Sequence, residues 1–303
     1  MLVKRYLVVN ADDLGRQYCV NEGILRAATE GALTSASLQV NGVAFDDACE
    51  RVIPACPNLG VGIHICLNEG FLISTPLHRA SSQLALADGH FRHLAAKGFI
   101  FLATSGDNRA MREQVEAEMR AQIEKALKKV KLDHIDGHQH VHAIPWIFEI
   151  AVRLAAYYKI PFIRLPREPL RLSAFREHIP APANICHWLN LQRYSYMNSS
   201  YLIKHNSGAN GDIVKGNDCF YGVLHTNAMS AGVASRLLRS HNQQDITEIL
   251  FHPCSPATEH SWIEPFAKDY CEQEQRGIEL QAILALPNIL KASEWTLTNY
   301  GEL

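Results

Sequence analysis

Short apolar runs alternate with amphipathic stretches along most of the chain, and this alternation is the strongest constraint on its fold. YLVVN (6–10), SASLQVN (35–41) and VGIHICL (61–67) have strand character. So do LDHIDGH (132–138), FIRL (162–165), DCFYGVLH (218–225) and ITEILFHP (246–253). Helical patterns lie between them, at 21–31, around 45–53, at 109–131, at 146–158, near 230–240 and over about 268–285. The clearest is 109–131, where Met111, Val115, Met119, Ile123, Leu127 and Val130 recur every three or four residues. Such alternation predicts a mainly parallel sheet covered by helices. Seven or eight strand–helix units in 303 residues favour a barrel-like α/β arrangement over a small doubly wound domain. Residues 68–108 and 166–217 break the rhythm and read as insertions in loops that follow strands.

Polar residues recur at equivalent places in different units. Asp12 and Asp13 end the first strand, and His64 lies in the third. Asp136, His138, His140 and His142 follow the fourth, and His252 follows ITEILF. Strand carboxyl ends of a parallel sheet converge on one face, where active sites are built. Asp and His from several strand ends would therefore meet in one pocket. One carboxylate and two imidazoles suit zinc and other divalent ions, and three protein ligands leave positions open for water and substrate. Two adjacent acids facing one pocket repel, unless a cation lets one ligate while the other stays ionised as a base. Strand alternation predicts that Asp12 and Asp13 turn to different sides. In an extended segment His138, His140 and His142 share a face, so spacing alone does not choose a ligand among them.

VNADDLG, TSASLQVNG, VGIHICLNEG, HIDGHQHVH and ILFHP, in this order, resemble the YdjC-like carbohydrate deacetylases, also called the ChbG/HpnK family. The resemblance runs from about residue 5 to 255. KGFIFL, NDCFYGVL and ITEILFHP look closer to the hopanoid-associated HpnK branch. The resemblance implies an irregular (β/α) barrel of the NodB-related polysaccharide-deacetylase type, spanning 1–303 as a single domain. It implies metal-dependent removal of an acetyl group from an N-acetylated amino sugar, in an oligosaccharide or a glycolipid. It assigns Asp13, His64 and His138 to one divalent metal ion, magnesium or zinc. It matches Asp12 to a general base and His252 to a general acid. Two mild departures from the common pattern are Leu14, where Phe is frequent, and Cys254 after the His-Pro pair.

Other features bound the function further. A formal net charge of −2 argues against nucleic acid as a partner. No apolar run approaches the ~18 residues of a membrane span, and the first residues do not resemble a signal peptide. None of the eight cysteines forms a CxxC pair. Buried free thiols in a cytoplasmic protein are the expectation. A homodimer is the expected assembly. Asp136 is a candidate to orient a ligand histidine, His142 a candidate to face substrate, and Arg164 and Arg167 candidates to bind a substrate oxygen. Helix 109–131 reads as a packing element, and GFIFLA (98–103) as an apolar lip. The rival readings are another barrel metallohydrolase, such as a phosphoesterase or sugar isomerase, and a non-catalytic sugar-binding protein.

Overall fold

Strand β1 (Arg5–Leu14) lies inside the sheet, two strands from one edge. The computed structural model describes residues 5–74, 82–208, 213–241, 246–255, 273–291 and 293–303. After β1 come β2 (Ser35–Leu38), β3 (Gly60–Ile65), β4 (His134–Gly137), β5 (Phe162–Ile163) and β6 (Lys215–Gly216). Then follow β7 (Cys219–Tyr221), β8 (Ile246–Phe251) and β9 (Trp295–Leu297). The order is β6-β5-β4-β3-β2-β1-β8-β7, and β9 also pairs with β1. Every pairing is parallel. The expected barrel-like α/β architecture is present as a curled sheet. Among the described residues no ladder joins β6 to β7. Side chains stitch that seam instead. Asn217 accepts from the Leu165 N–H at 2.7 Å and donates to the carbonyls of Leu165 and Cys219, both at 2.9 Å.

The helices pack on the outside of the curl. They are α1 (Tyr18–Glu30), α2 (Phe45–Asp47), α3 (Ile53–Ala55), α4 (Ala95–Thr104) and α5 (Arg109–Leu127). Further along are α6 (Pro145–Tyr158), α7 (Pro182–Ser207), α8 (Ala231–Ser240) and α9 (Glu274–Leu290). Residues 48–52 join α2 to α3 as a π-helical turn. The two predicted insertions are not only loop: they carry α4 and the 26-residue α7. The start of the expected last helix falls outside the described residues.

Outward side chains of the strands are apolar and bury against the helices. Val9 and Ala11 of β1, Ile63 and Ile65 of β3, Ile135 of β4 and Ile249 of β8 join one core with Ile24, Val115, Ile147 and Ile283. Inward positions alternate with these and are mostly polar: Asn10, Asp12, Ser37, His64, Asp136 and Glu248 are all buried. Gly62 keeps its inward position open for a neighbour, since a Cβ there would sit 2.3 Å from the His134 ring. No described helix is long and apolar enough to cross a membrane.

Helix α5 does more than pack. Its buried face carries Glu118 and Gln122. Gln122 accepts from the Cys66 N–H at 3.0 Å and donates to the Cys66 carbonyl at 2.7 Å. Glu118 accepts from the N–H groups of Ile73 and Ser74 at 2.9 and 2.8 Å. Both pin the segment after β3, which carries Glu69. Cys49, Cys56, Cys66, Cys186, Cys219 and Cys254 form no disulfide. Cys19 is disulfide-bonded, against the expectation of free thiols throughout.

Candidate active site

At the carboxyl ends of the strands lies a cavity of about 590 Å³, lined by Asp12, Asp13, His64, His138 and His252 among others. All five predicted residues therefore reach one space. The two acids do not diverge as strand alternation predicts. The register of β1 slips between Ala11 and Leu14. Asp13 takes a left-handed φ of 71°, followed by Gly15 at 88°. This reversal turns both carboxylates toward His64, whose Nε2 is 3.9 Å from Asp12 and 3.5 Å from Asp13. A left-handed non-glycine residue costs on the order of 1–3 kcal/mol and persists where the surroundings over-determine it, often at functional sites. Gln139 and His140, beside His138, are also left-handed, at φ 51° and 57°.

Asp13, His64 and His138 each offer one ligand atom, and these atoms lie within 4.8 Å of one another. Asp13 Oδ1 is 3.1 Å from His138 Nδ1. His64 is fixed from behind: its Nδ1 lies 2.8 Å from Asp136, which leaves Nε2 facing Asp13. A carboxylate behind a ligand histidine sets its tautomer and orientation. His138 has the same support, because its Nε2 lies 3.2 Å from Glu69. Arg16 bridges Asp13 and Glu69 at 3.1 and 2.8 Å.

The electrostatics of this set favour positive charge. Burial works to raise the Asp13 carboxyl, but Arg16 and His138 outweigh it and hold it well below the usual range. Burial works to lower His138, but Glu69 and Asp13 outweigh it and raise it to about 9. His64 is raised likewise, with Asp12 and Asp136 overcoming burial. One carboxylate and two imidazoles, buried, converging and electronegative, fit a divalent cation. The alternative trio of Asp12, His64 and Asp136 is also close-set. Its two acids already neutralise Arg164, so the first trio is the better donor set.

Arg164 does not line the cavity. It is fully buried and grips Asp12 with two prongs, Nη1 to Oδ2 at 3.1 Å and Nη2 to Oδ1 at 2.8 Å. His142 does not face the cavity either: it is buried, and its Nε2 donates to the Arg164 carbonyl at 3.1 Å. Arg167 is tied to the Ser199 hydroxyl of α7. His252 is backed by Glu279 of α9, which lies 3.5 Å from its Nδ1 and accepts its backbone N–H. Glu69, Glu279 and the bonding of Arg164 were not foreseen from sequence. Arg164 stands after an apolar strand just as Asp13 does, and that placement was the available signal.

The far wall of the cavity includes His140, Asn184, His187 and Asn190. The His140 and His187 rings stack with centroids 6.0 Å apart. Burial pushes His187 down to about 4, and burial with Arg164 holds His140 well below its usual range. Phe99 and Ile100 of α4 complete the rim. Ile100 is exposed and Phe99 buried, so only part of GFIFLA is available as a lip.

The model of the YdjC-like protein family matches residues 6–287. The chain belongs to the YdjC-like family. Its relatives include a carbohydrate deacetylase of Brevibacillus brevis, 40% identical over 161 residues, which are 53% of this chain and 59% of that protein. A Mus musculus carbohydrate deacetylase is 37% identical over 184 residues, covering 59% of this chain and 56% of that one. The chain thus spans a little over half the length of these curated relatives. An Enterococcus faecalis structure, provisionally described as a cellobiose-phosphate cleavage protein, superposes with a TM-score of 0.69 at 22% identity. It covers 99% of this chain and 98% of its own, and it shares the fold. These matches carry the YdjC-like family and not the HpnK branch within it.

Proposed function

We propose that the chain hydrolyses the acetamide of an N-acetylated amino sugar, in an oligosaccharide or a glycolipid, and releases acetate. The carrying observation is the convergence of Asp13, His64 and His138 with Asp12 and His252 on one cavity. The names of the YdjC-like relatives support the same reading.

Asp13, His64 and His138 would hold one divalent cation, and two imidazoles favour zinc over magnesium, which prefers oxygen donors. Such a cation, when bound, supplies a Lewis acid that polarises the amide carbonyl and eases deprotonation of water. Asp12 takes the proton of the attacking water. Arg164 fixes its carboxylate in place with its two-pronged contact. His252 gives a proton to the departing amine nitrogen, which leaves poorly without one, and Glu279 holds that ring toward the cavity. The balance is one water and one amide consumed, one acetate and one free amine formed. His140, Asn184, His187 and Asn190 give neutral donors and acceptors for sugar hydroxyls, while Phe99 and Ile100 offer an apolar surface to a ring face.

The test is mass-spectrometric detection of acetate loss from N-acetylglucosaminyl substrates, short chitooligosaccharides and glycolipids included. Acetate release that disappears in Asp13→Ala and His138→Ala supports the assignment. Phosphate release from phosphorylated sugars without acetate loss would replace it with a phosphoesterase.

A further inference from the structure

Beneath the cavity, the inside of the curl is filled by a connected set of polar side chains. The guanidinium of Arg164 is engaged on two edges. One edge carries the two-pronged contact to Asp12. The other donates to Oε1 of Glu248 from Nε and Nη2, at 2.9 and 2.6 Å. Nη2 also lies 2.6 Å from Asp136. Glu248 is an inward residue of β8 and is fully buried. Its Oε2 accepts the phenol of Tyr300 at 2.6 Å. Tyr300 follows β9 at the opposite end of the curl from the cavity and is 1% exposed. Its ring lies against Phe162 and His134, with centroids 5.1 and 4.7 Å away.

This chain of contacts runs from the floor of the curl to its mouth. A planar fork held along two edges cannot rotate, so the position of Glu248 dictates where Arg164 presents its other edge. Glu248 in turn has two holders, Arg164 and the Tyr300 hydroxyl. A residue that only filled the floor would need the ring of Tyr300 and not its hydroxyl.

We propose that Tyr300 and Glu248 are positioning residues that set the place of Asp12 through Arg164, so that the floor segment governs the base at the cavity mouth. This rests on the reading of Asp12 as the base.

Tyr300→Phe keeps the ring packing and deletes only the hydroxyl. Glu248→Gln keeps the shape and deletes the charge. For acetate release from N,N′-diacetylchitobiose, kcat should fall about tenfold in Tyr300→Phe and about a hundredfold in Glu248→Gln, the range seen when outer supports of a site are lost. KM and the divalent cation retained per chain should not change. If Glu248→Gln does not fold, Tyr300→Phe carries the test alone, joined by its crystal structure, in which the two-pronged Asp12–Arg164 contact should be displaced. Wild-type kcat in Tyr300→Phe overturns the proposal. So does an unmoved Asp12–Arg164 contact, or a loss confined to thermal stability. A wild-type chain that releases no acetate, with the contact still displaced in Tyr300→Phe, would sink the deacetylase reading and leave the positioning chain standing.

Discussion

Ile63 and His64 are consecutive on β3 and almost equally buried, at 0% and 1% exposure, yet they lie on opposite faces of one sheet. Their partners on β4 repeat the division, Ile63 beside Ile135 and His64 beside Asp136. Outside the curl, apolar side chains gain stability by leaving water. Inside, charges leave water at a cost, and that cost is tolerable only while each has its partner. Burial alone therefore says nothing of role here. The outer face contributes stability alone, while the inner face carries the chemistry and stays tolerable to the fold only so long as its charges are paired.

The largest effect should come from the inner face. His64→Ala is expected to abolish acetate release and retention of a divalent cation, read by assay and by metal analysis. Asp12→Asn should lower kcat by about 10²–10⁴-fold, the usual worth of a general base, with the cation retained. Asp136→Ala strips one partner each from His64, Ser37 and Arg164. It should cost about 3–5 kcal/mol in denaturant unfolding, besides loosening the cation site. Ile63→Ala is the opposite case: about 2–5 kcal/mol of stability lost, with kcat per folded molecule unchanged. If Ile63→Ala impaired kcat as strongly as His64→Ala, the division between the faces would fail.

A smaller, pH-dependent effect comes from Glu168, in the segment after β5. Its Oε2 accepts from the N–H groups of Val223 and Leu224 at 2.8 and 3.0 Å. Burial raises its carboxyl from 4.5 to about 7 despite those bonds. The folded state thus prefers the protonated form. The stabilisation is full below about pH 4.5 and is lost as pH rises through 7. Glu168→Gln should remove that loss, gaining up to roughly 3 kcal/mol over wild type at pH 8 and little at pH 4. Urea unfolding at the two pH values measures it.

Much of the outer face was legible in the sequence. Strand and helix periodicities gave the parallel α/β plan, because apolar outward positions repeat regularly. The cavity residues were legible for another reason: Asp12, Asp13, His64, His138 and His252 interrupt or end apolar runs, which only a site or a paired charge explains. The supports were harder to read. Glu248 inside ITEILF and Arg164 after FI carry the same kind of signal, but their partners come from other strands, and pairing across a curled sheet is not written in either segment. The turn of Asp13 toward Asp12's side depends on a left-handed residue in a strand, which alternation cannot predict. Glu69 and Glu279 sit in a loop and a helix whose place over the cavity is fixed only by tertiary packing.

The most direct measurement is acetate release from N,N′-diacetylchitobiose by the wild-type chain before chelation, after thorough chelation, and after one equivalent of zinc is returned. The expected result is activity lost with the cation and restored with it, while His64→Ala stays silent in all three. Undiminished acetate release after complete removal of divalent ions would contradict a cation site on Asp13, His64 and His138.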